Sequence, residues 1–110
     1  MSTNIIPFSY ADHPVRVIQI NGEPWFVLTD LCRVLDLSTP AKVVARLDDG
    51  VTQTHPINDS LGRIQQTTIV SEAGMYEVVI RSDKPEAVAF RRWVTHEVLA
   101  RMIAAEEVAS

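Results

Sequence analysis

The sequence predicts an α+β fold in which two β-hairpins alternate with helices. Two stretches rich in strand-forming residues contain strong turn signals, at 21–22 and 58–62. Two other stretches place apolar residues at helical spacing, a short pair of helices over 29–47 and a longer pair over 72–105. The resulting order is two strands, two helices, two strands and two helices, which is typical of the α+β class.

The first hairpin is predicted over residues 15–28. Val15–Ile20 alternates apolar and polar side chains, as a half-buried strand does. Asn21–Gly22 follows and is a preferred dipeptide for a two-residue hairpin turn. Trp25–Leu28 is therefore the returning strand, with Pro24 at its start, where proline is tolerated.

A short helix-turn-helix-like pair is predicted next. Thr29 can cap the first helix, which carries apolar residues at helical spacing. Ser38–Thr39–Pro40 starts the second helix, because a hydroxyl cap followed by proline at the first helical position favours a helix start. This second helix, over 41–47, places Lys42 and Arg46 four residues apart on one face.

The second hairpin is predicted from Val51–Ile57 and Ile64–Val70, which are rich in β-branched residues. The turn-forming residues 58–62 lie between them, and Arg63 follows at the tip. A projecting hairpin beside a helix pair is a plausible way to contact a nucleic-acid backbone.

Two further helices complete the predicted fold. Ser71 can cap a helix over about 72–81. Asp83 and Glu86 have capping-box spacing ahead of a long helix over about 85–105.

Helical angles on the long helix separate two apolar lines. At about 100° per residue, one half of the helix surface carries an apolar stripe that we interpret as core, formed by Phe90, Trp93, Val94 and Val98. Glu97 lies within this stripe. Val88, Leu99 and Ile103 form a second line. This second line is either internal core or a surface covered by another part of the domain, by a second copy, or by a downstream segment.

Charge and hydropathy narrow the functional classes. The net charge of −4 argues against general affinity for nucleic acid, so such contacts must come from a local patch. The sequence shows no secretory signal and no run of 18 apolar residues, which favours a cytosolic protein without a membrane span. Basic residues cluster over 81–92, at Arg81, Lys84, Arg91 and Arg92.

Metal and catalytic motifs are incomplete. His96–Glu97 looks like half of the HExxH zinc motif, but Ala100 stands where the second histidine is needed. No nucleophile elbow or phosphate-binding glycine loop occurs. Cys32 lies in an apolar helical pattern and is interpreted as a core thiol, although its place near a helix N-terminus leaves a reactive thiol as the alternative. We expect no enzyme activity, cofactor, metal or small-molecule substrate.

Three groups of residues occur in an order that is characteristic of a known family. The first is Val15–Val17, Gly22–Val27, Asp30–Cys32 and Val34–Leu35; the second is Ile69–Tyr76; the third is Ile80–Ser82, Lys84–Ala87 and Phe90–Leu99. With these groups the chain resembles the Bro-N domain, the N-terminal domain shared by prophage antirepressors and baculovirus BRO proteins. The resemblance spans about residues 8–103, so we expect a single domain over 1–110 with its core there.

The resemblance implies an α+β DNA-binding domain without cofactor or catalytic residues, of phage or prophage origin, that regulates phage gene expression. The implied setting is the cytoplasm of a bacterial host. The family often continues with a proline and a basic segment, where this chain has Ala100–Ile103. We therefore expect either a small stand-alone family member or an excised domain.

Two hypotheses about the partner follow. In the first, the domain binds DNA through basic side chains of the helix pair, the hairpin tip and the last two helices: Lys42, Arg46, Arg63, Arg81, Lys84, Arg91 and Arg92. In the second, it binds and inactivates a basic phage repressor, because opposite charges favour that encounter. The candidate contacts are then Asp48, Asp49, Leu99 and Ile103, and the last helix is also a candidate for homo-oligomerisation.

Overall fold

The computed structural model describes residues 4–38, 40–58, 61–82 and 85–102, and has the expected α+β fold. One antiparallel sheet of five strands has the order β1-β2-β3-β5-β4. The strands are β1 (Asn4–Tyr10), β2 (His13–Ile20), β3 (Glu23–Val27), β4 (Thr52–Asn58) and β5 (Ile64–Ser71). The helices are α1 (Leu28–Val34), α2 (Pro40–Ala45), α3 (Glu72–Ser82) and α4 (Pro85–Trp93), with a 3-10 turn at Asp49–Val51 and a π-helix at Val94–Leu99.

Both predicted hairpins are confirmed. The turn between β2 and β3 has positive φ at Asn21 (52°) and Gly22 (80°), the geometry for which this dipeptide is favoured. Strands β4 and β5 pair from Thr52–Val70 to Asn58–Ile64.

Strand β1 was not predicted, and it pairs with β2 along its whole length. Its turn, Ala11–Asp12, has positive φ at both residues without a glycine or asparagine to signal it. Pro7 lies within β1, and Pro56 lies within β4 at the opposite edge of the sheet. Proline at an edge strand limits pairing with another chain, because it cannot donate a backbone hydrogen bond.

The start of the first helix and the end of the second helix differ from the prediction, whereas the second helix begins at Pro40 as predicted. Helix α1 begins at Leu28, directly after β3, and its N-cap is Val27 without a side-chain cap, so the prediction that Thr29 is the cap is wrong. Helix α2 ends at Ala45, which places Arg46 just beyond it. The Ser71 cap of α3 is confirmed, because the Gly74 amide donates to Ser71 Oγ at 3.2 Å.

Two apolar clusters lie on opposite faces of the sheet. Residues that pair across strands share a face, so Phe26 with Val70 belongs to the main cluster, and Val27 with Ile69 to the smaller one. The main cluster packs the sheet against all four α-helices and the π-helix, and includes the buried helical residues Leu28, Leu31, Met75, Val78, Phe90, Val94 and Val98.

The final helix buries three of the four residues of the predicted core stripe, and the fourth, Trp93, is half-buried against the main cluster. The buried residues of this helix are Ala87, Phe90, Val94, Val98 and Met102, and from Phe90 onward they are spaced four residues apart. Glu97, predicted within the core stripe, is exposed. The prediction assumed a regular α-helix, whereas the π-helix holds more residues per turn and so rotates the side chains beyond Trp93.

Gly74 in α3 lies against the 3-10 turn. A Cβ added there would lie 3.0 Å from the Val51 carbonyl oxygen and 3.1 Å from Val70 Cβ. We therefore expect Gly74→Ala to lower the free energy of unfolding by about 1–3 kcal/mol, although alanine is the better helix former. Urea denaturation would measure this change. Gly50→Ala is the control, because nothing lies within 4 Å of its added Cβ; equal stability of the two variants would contradict the packing argument.

Candidate nucleic-acid interface

Three of the predicted DNA-binding residues line one small pocket, which we call the basic pocket. It has a volume of about 190 Å³ and is lined by Lys42 and Arg46, by Arg81, and by Leu37, Ser38 and Val43. Lys42 lies on α2, Arg46 follows that helix, and Arg81 lies in the last turn of α3. The fold therefore brings a cation from the third helix to the helix-turn-helix-like pair.

Among the described residues, the positive charges of the basic pocket have no ion-pair partner. Lys42, Arg46 and Arg81 are exposed, and no described residue forms an ion pair with any of them. No lining residue is acidic. The pocket is thus a positively charged concavity on a chain whose net charge is −4.

Asp30 is a buried carboxylate that the sequence analysis did not identify as a candidate site residue. Its Oδ2 accepts from the Arg16 backbone N–H and from Arg16 Nε, both at 2.9 Å, and its Oδ1 accepts from Arg16 Nη2 at 3.0 Å. Arg33 Nη1 lies 3.6 Å from Oδ1. The hydrogen bond that the Arg16 guanidinium donates to Asp30 raises the pKa of Arg16 against the opposing effect of burial. These contacts fix α1 to β2 and hold the guanidinium in one position.

A larger cleft lies between the helix pair and the second hairpin. Strand β3 ends at Val27, opposite Ile69, so the first residues of β5 extend beyond β3. The cleft has a volume of about 420 Å³. Its lining is apolar at Leu28, Pro40, Ala41, Val44 and Ile57, and polar at Arg16, Thr29, Asn58, Gln65, Gln66, Thr67 and Thr68.

Helix α2 separates the cleft from the basic pocket. Pro40, Ala41 and Val44 line the cleft, whereas Lys42 and Val43 line the pocket. None of the residues in α2 is fully buried, so both of its sides are accessible to a partner.

The tip of the second hairpin exposes both charge and apolar surface. Arg63 is exposed, as predicted for the tip. Leu61 and Ile64 on either side are 74% and 71% exposed.

The remaining predicted residues that the structure describes do not line the basic pocket. Arg91 and Arg92 are exposed in the last turn of α4 and do not line it. Asp48 is exposed between α2 and the 3-10 turn, and Leu99 is half-buried against the main core. Lys84, Ile103 and the side chain of Asp49 lie outside the described residues.

The potential metal ligands and the cysteine were also located in the described part of the chain. No group of three potential ligands among His, Cys, Asp and Glu could hold a metal ion there. Cys32 is buried, and burial raises the pKa of its thiol, which disfavours the reactive thiolate. None of the described helices has the length and apolar character needed to cross a membrane.

Comparison with known proteins gives two matches of different kinds. The sequence model of the BRO family, N-terminal domain, matches residues 14–100. A protein of Haemophilus influenzae described as uncharacterized is 37% identical over 98 residues, which cover 86% of this chain and 48% of that protein. The chain thus spans about half the length of this curated relative. No solved structure gives a significant match.

Proposed function

Because the chain belongs to the Bro-N family, the N-terminal domain of BRO proteins, we propose that it is a DNA-binding regulator of the phage antirepressor type. It would act in the cytoplasm of a bacterial host and control the choice between lysis and lysogeny. The family supports the coarser statement, a phage-type regulator, and the geometry of α2 supports the DNA contact.

Helix α2 carries the proposal. It contributes no fully buried residue, bears Lys42, leads into Arg46, and stands beside a hairpin that projects beyond β3. A short exposed helix with a flanking hairpin suits entry of the helix into the major groove, with the hairpin on the backbone. Arg63 and Arg81 then supply phosphate contacts, together with Lys84, Arg91 and Arg92.

We expect the domain to bind duplex DNA from the phage operator region with an affinity that falls steeply with salt. Each phosphate contact contributes about 0.9 to the slope of log affinity against log salt. Lys42→Ala should weaken binding and reduce that slope by about one unit. Fluorescence anisotropy over a salt series would measure both quantities.

Arg101→Ala is the matched control, because it removes the same charge from a residue outside the proposed interface. The Arg101 guanidinium lies 4.8 Å from the Phe8 ring centroid. An absence of binding to operator-region DNA at low salt would refute the proposal. An equal loss from Lys42→Ala and Arg101→Ala would refute the role of α2 and leave only general electrostatic attraction.

A second candidate function is capture of a phage repressor. Two large apolar side chains on the last helices, Ile80 and Val88, are 68% and 67% exposed, which favours a protein surface. This protein-binding surface would also include Asp48, Asp49, Leu99 and Ile103. The C-terminal helix would allow self-association. Failure of the purified repressor to co-elute with the domain would exclude capture, and a monomer mass in sedimentation at micromolar concentration would exclude self-association.

A further inference from the structure

We infer that the basic pocket is a discrete binding site for a single phosphate group, held between Lys42, Arg46 and Arg81. Where that group belongs to a DNA backbone, the inference rests on the proposed function. The same chemistry would accept a phosphate monoester, and the experiment below separates the two sources.

The size and lining of the basic pocket suit one phosphate. Its volume of about 190 Å³ is below the roughly 300–1,000 Å³ typical of pockets for whole small molecules. The cationic side chains provide charged donors, and Ser38 also lies in the lining. Charged donors form the strongest hydrogen bonds to phosphate oxygens. A nucleoside would have to remain outside the pocket.

The three positive charges that line the basic pocket favour a bound anion. Three cations around one concavity repel each other, and no described residue forms an ion pair with them. Two other cations of the described residues, Arg16 and Arg33, both contact Asp30. A bound anion would relieve the repulsion in the basic pocket, and a tetrahedral dianion would contact more than one cation at once.

The position of the pocket gives the bound phosphate a role. Lys42 and Arg46 belong to the α2 region, whereas Arg81 is fixed to α3, whose neighbouring residues Val78 and Val79 are buried in the core. A phosphate bridging these elements would tie α2 to the domain body. In a DNA complex it would set the position of α2 relative to one backbone phosphate, and contacts of that kind fix register rather than read sequence.

The first experiment titrates the whole domain with inorganic phosphate at constant ionic strength and follows backbone amide shifts by NMR. We expect saturable shifts centred on Leu37, Ser38 and Val43. Arg81→Gln should weaken the phosphate affinity about tenfold, as loss of a charge-assisted hydrogen bond does. Arg81→Lys should recover part of it, and Arg101→Gln should leave it unchanged. Shifts that are diffuse, do not saturate or respond equally to both Gln variants would overturn the inference.

The second experiment compares the same variants on operator-region DNA and on a 5′-phosphorylated mononucleotide. A larger loss of DNA affinity for Arg81→Gln than for Arg101→Gln supports a backbone phosphate as the occupant. Binding of phosphate and mononucleotide without any binding of DNA supports the pocket but refutes the proposed function. DNA binding without saturable phosphate binding overturns the pocket and leaves the proposed function intact.

Discussion

Asp30→Ala is expected to lower the free energy of unfolding by about 2–4 kcal/mol. The Asp30 side chain is 1% exposed and accepts three hydrogen bonds from Arg16, one of them from the backbone. Removing one partner of a buried ion pair costs about 3–5 kcal/mol, since the other charge loses its compensation. The Arg16 side chain is 37% exposed, so water recovers part of that loss. Urea denaturation would measure the change.

Asp30→Asn separates charge from hydrogen bonding, because its amide oxygen can still accept from the Arg16 backbone. We expect a stability between those of wild type and Asp30→Ala. Asp48→Ala is the matched control, since Asp48 is exposed and such substitutions usually change stability by less than about 0.5 kcal/mol. If Asp30→Ala destabilised no more than Asp48→Ala, the buried carboxylate would contribute nothing net to the fold.

Asp30 also illustrates what the sequence could not reveal. In the sequence it is an acidic residue in the first turn of a helix, where the helix dipole alone accounts for it. Its partner Arg16 is 14 residues away, in a strand whose alternation marks it as outward-facing. The signals that were read correctly are local, such as the Asn21–Gly22 turn and the Ser71 cap.

The same distinction applies to the candidate interface. The spacing of Lys42 and Arg46 predicted a shared face, and both do line one pocket, although α2 ends before Arg46. Arg81 lines the same pocket because of the way α3 packs in the fold. No local sequence pattern encodes that packing. The exposure of Glu97 was missed for a related reason, because the π-helix that rotates it leaves no recognised mark in the sequence.

The proposed function rests on the order of the family motifs rather than on composition. A net charge of −4 argues against DNA binding, but the structure brings three cations together in one pocket. Cations gathered in one pocket can contact a phosphate even when the remaining surface is acidic, since screening limits the reach of distant charges to about 8–10 Å at physiological salt.

Phe90→Ala is expected to lower the free energy of unfolding by about 3–5 kcal/mol, as is usual for a buried phenylalanine. Phe90 is fully buried, and its ring centroid lies 5.3 Å from that of Tyr10 and 5.5 Å from that of Trp93. Tyr10 ends β1, so the Phe90 ring joins the edge of the sheet to the final helix. Truncation would remove the contacts of both aromatic neighbours and leave a cavity, and guanidinium denaturation would measure the loss.

Val88→Ala on the same helix is the control, because Val88 is 67% exposed and its truncation opens no cavity. Phe90→Leu should be milder than Phe90→Ala, since it keeps most of the buried apolar volume. If the aromatic contacts anchor β1, amide hydrogen exchange in Phe90→Ala should accelerate in β1 before it does in the β4–β5 hairpin. Uniform acceleration across the sheet would show instead that β1 and the hairpin unfold as one cooperative unit.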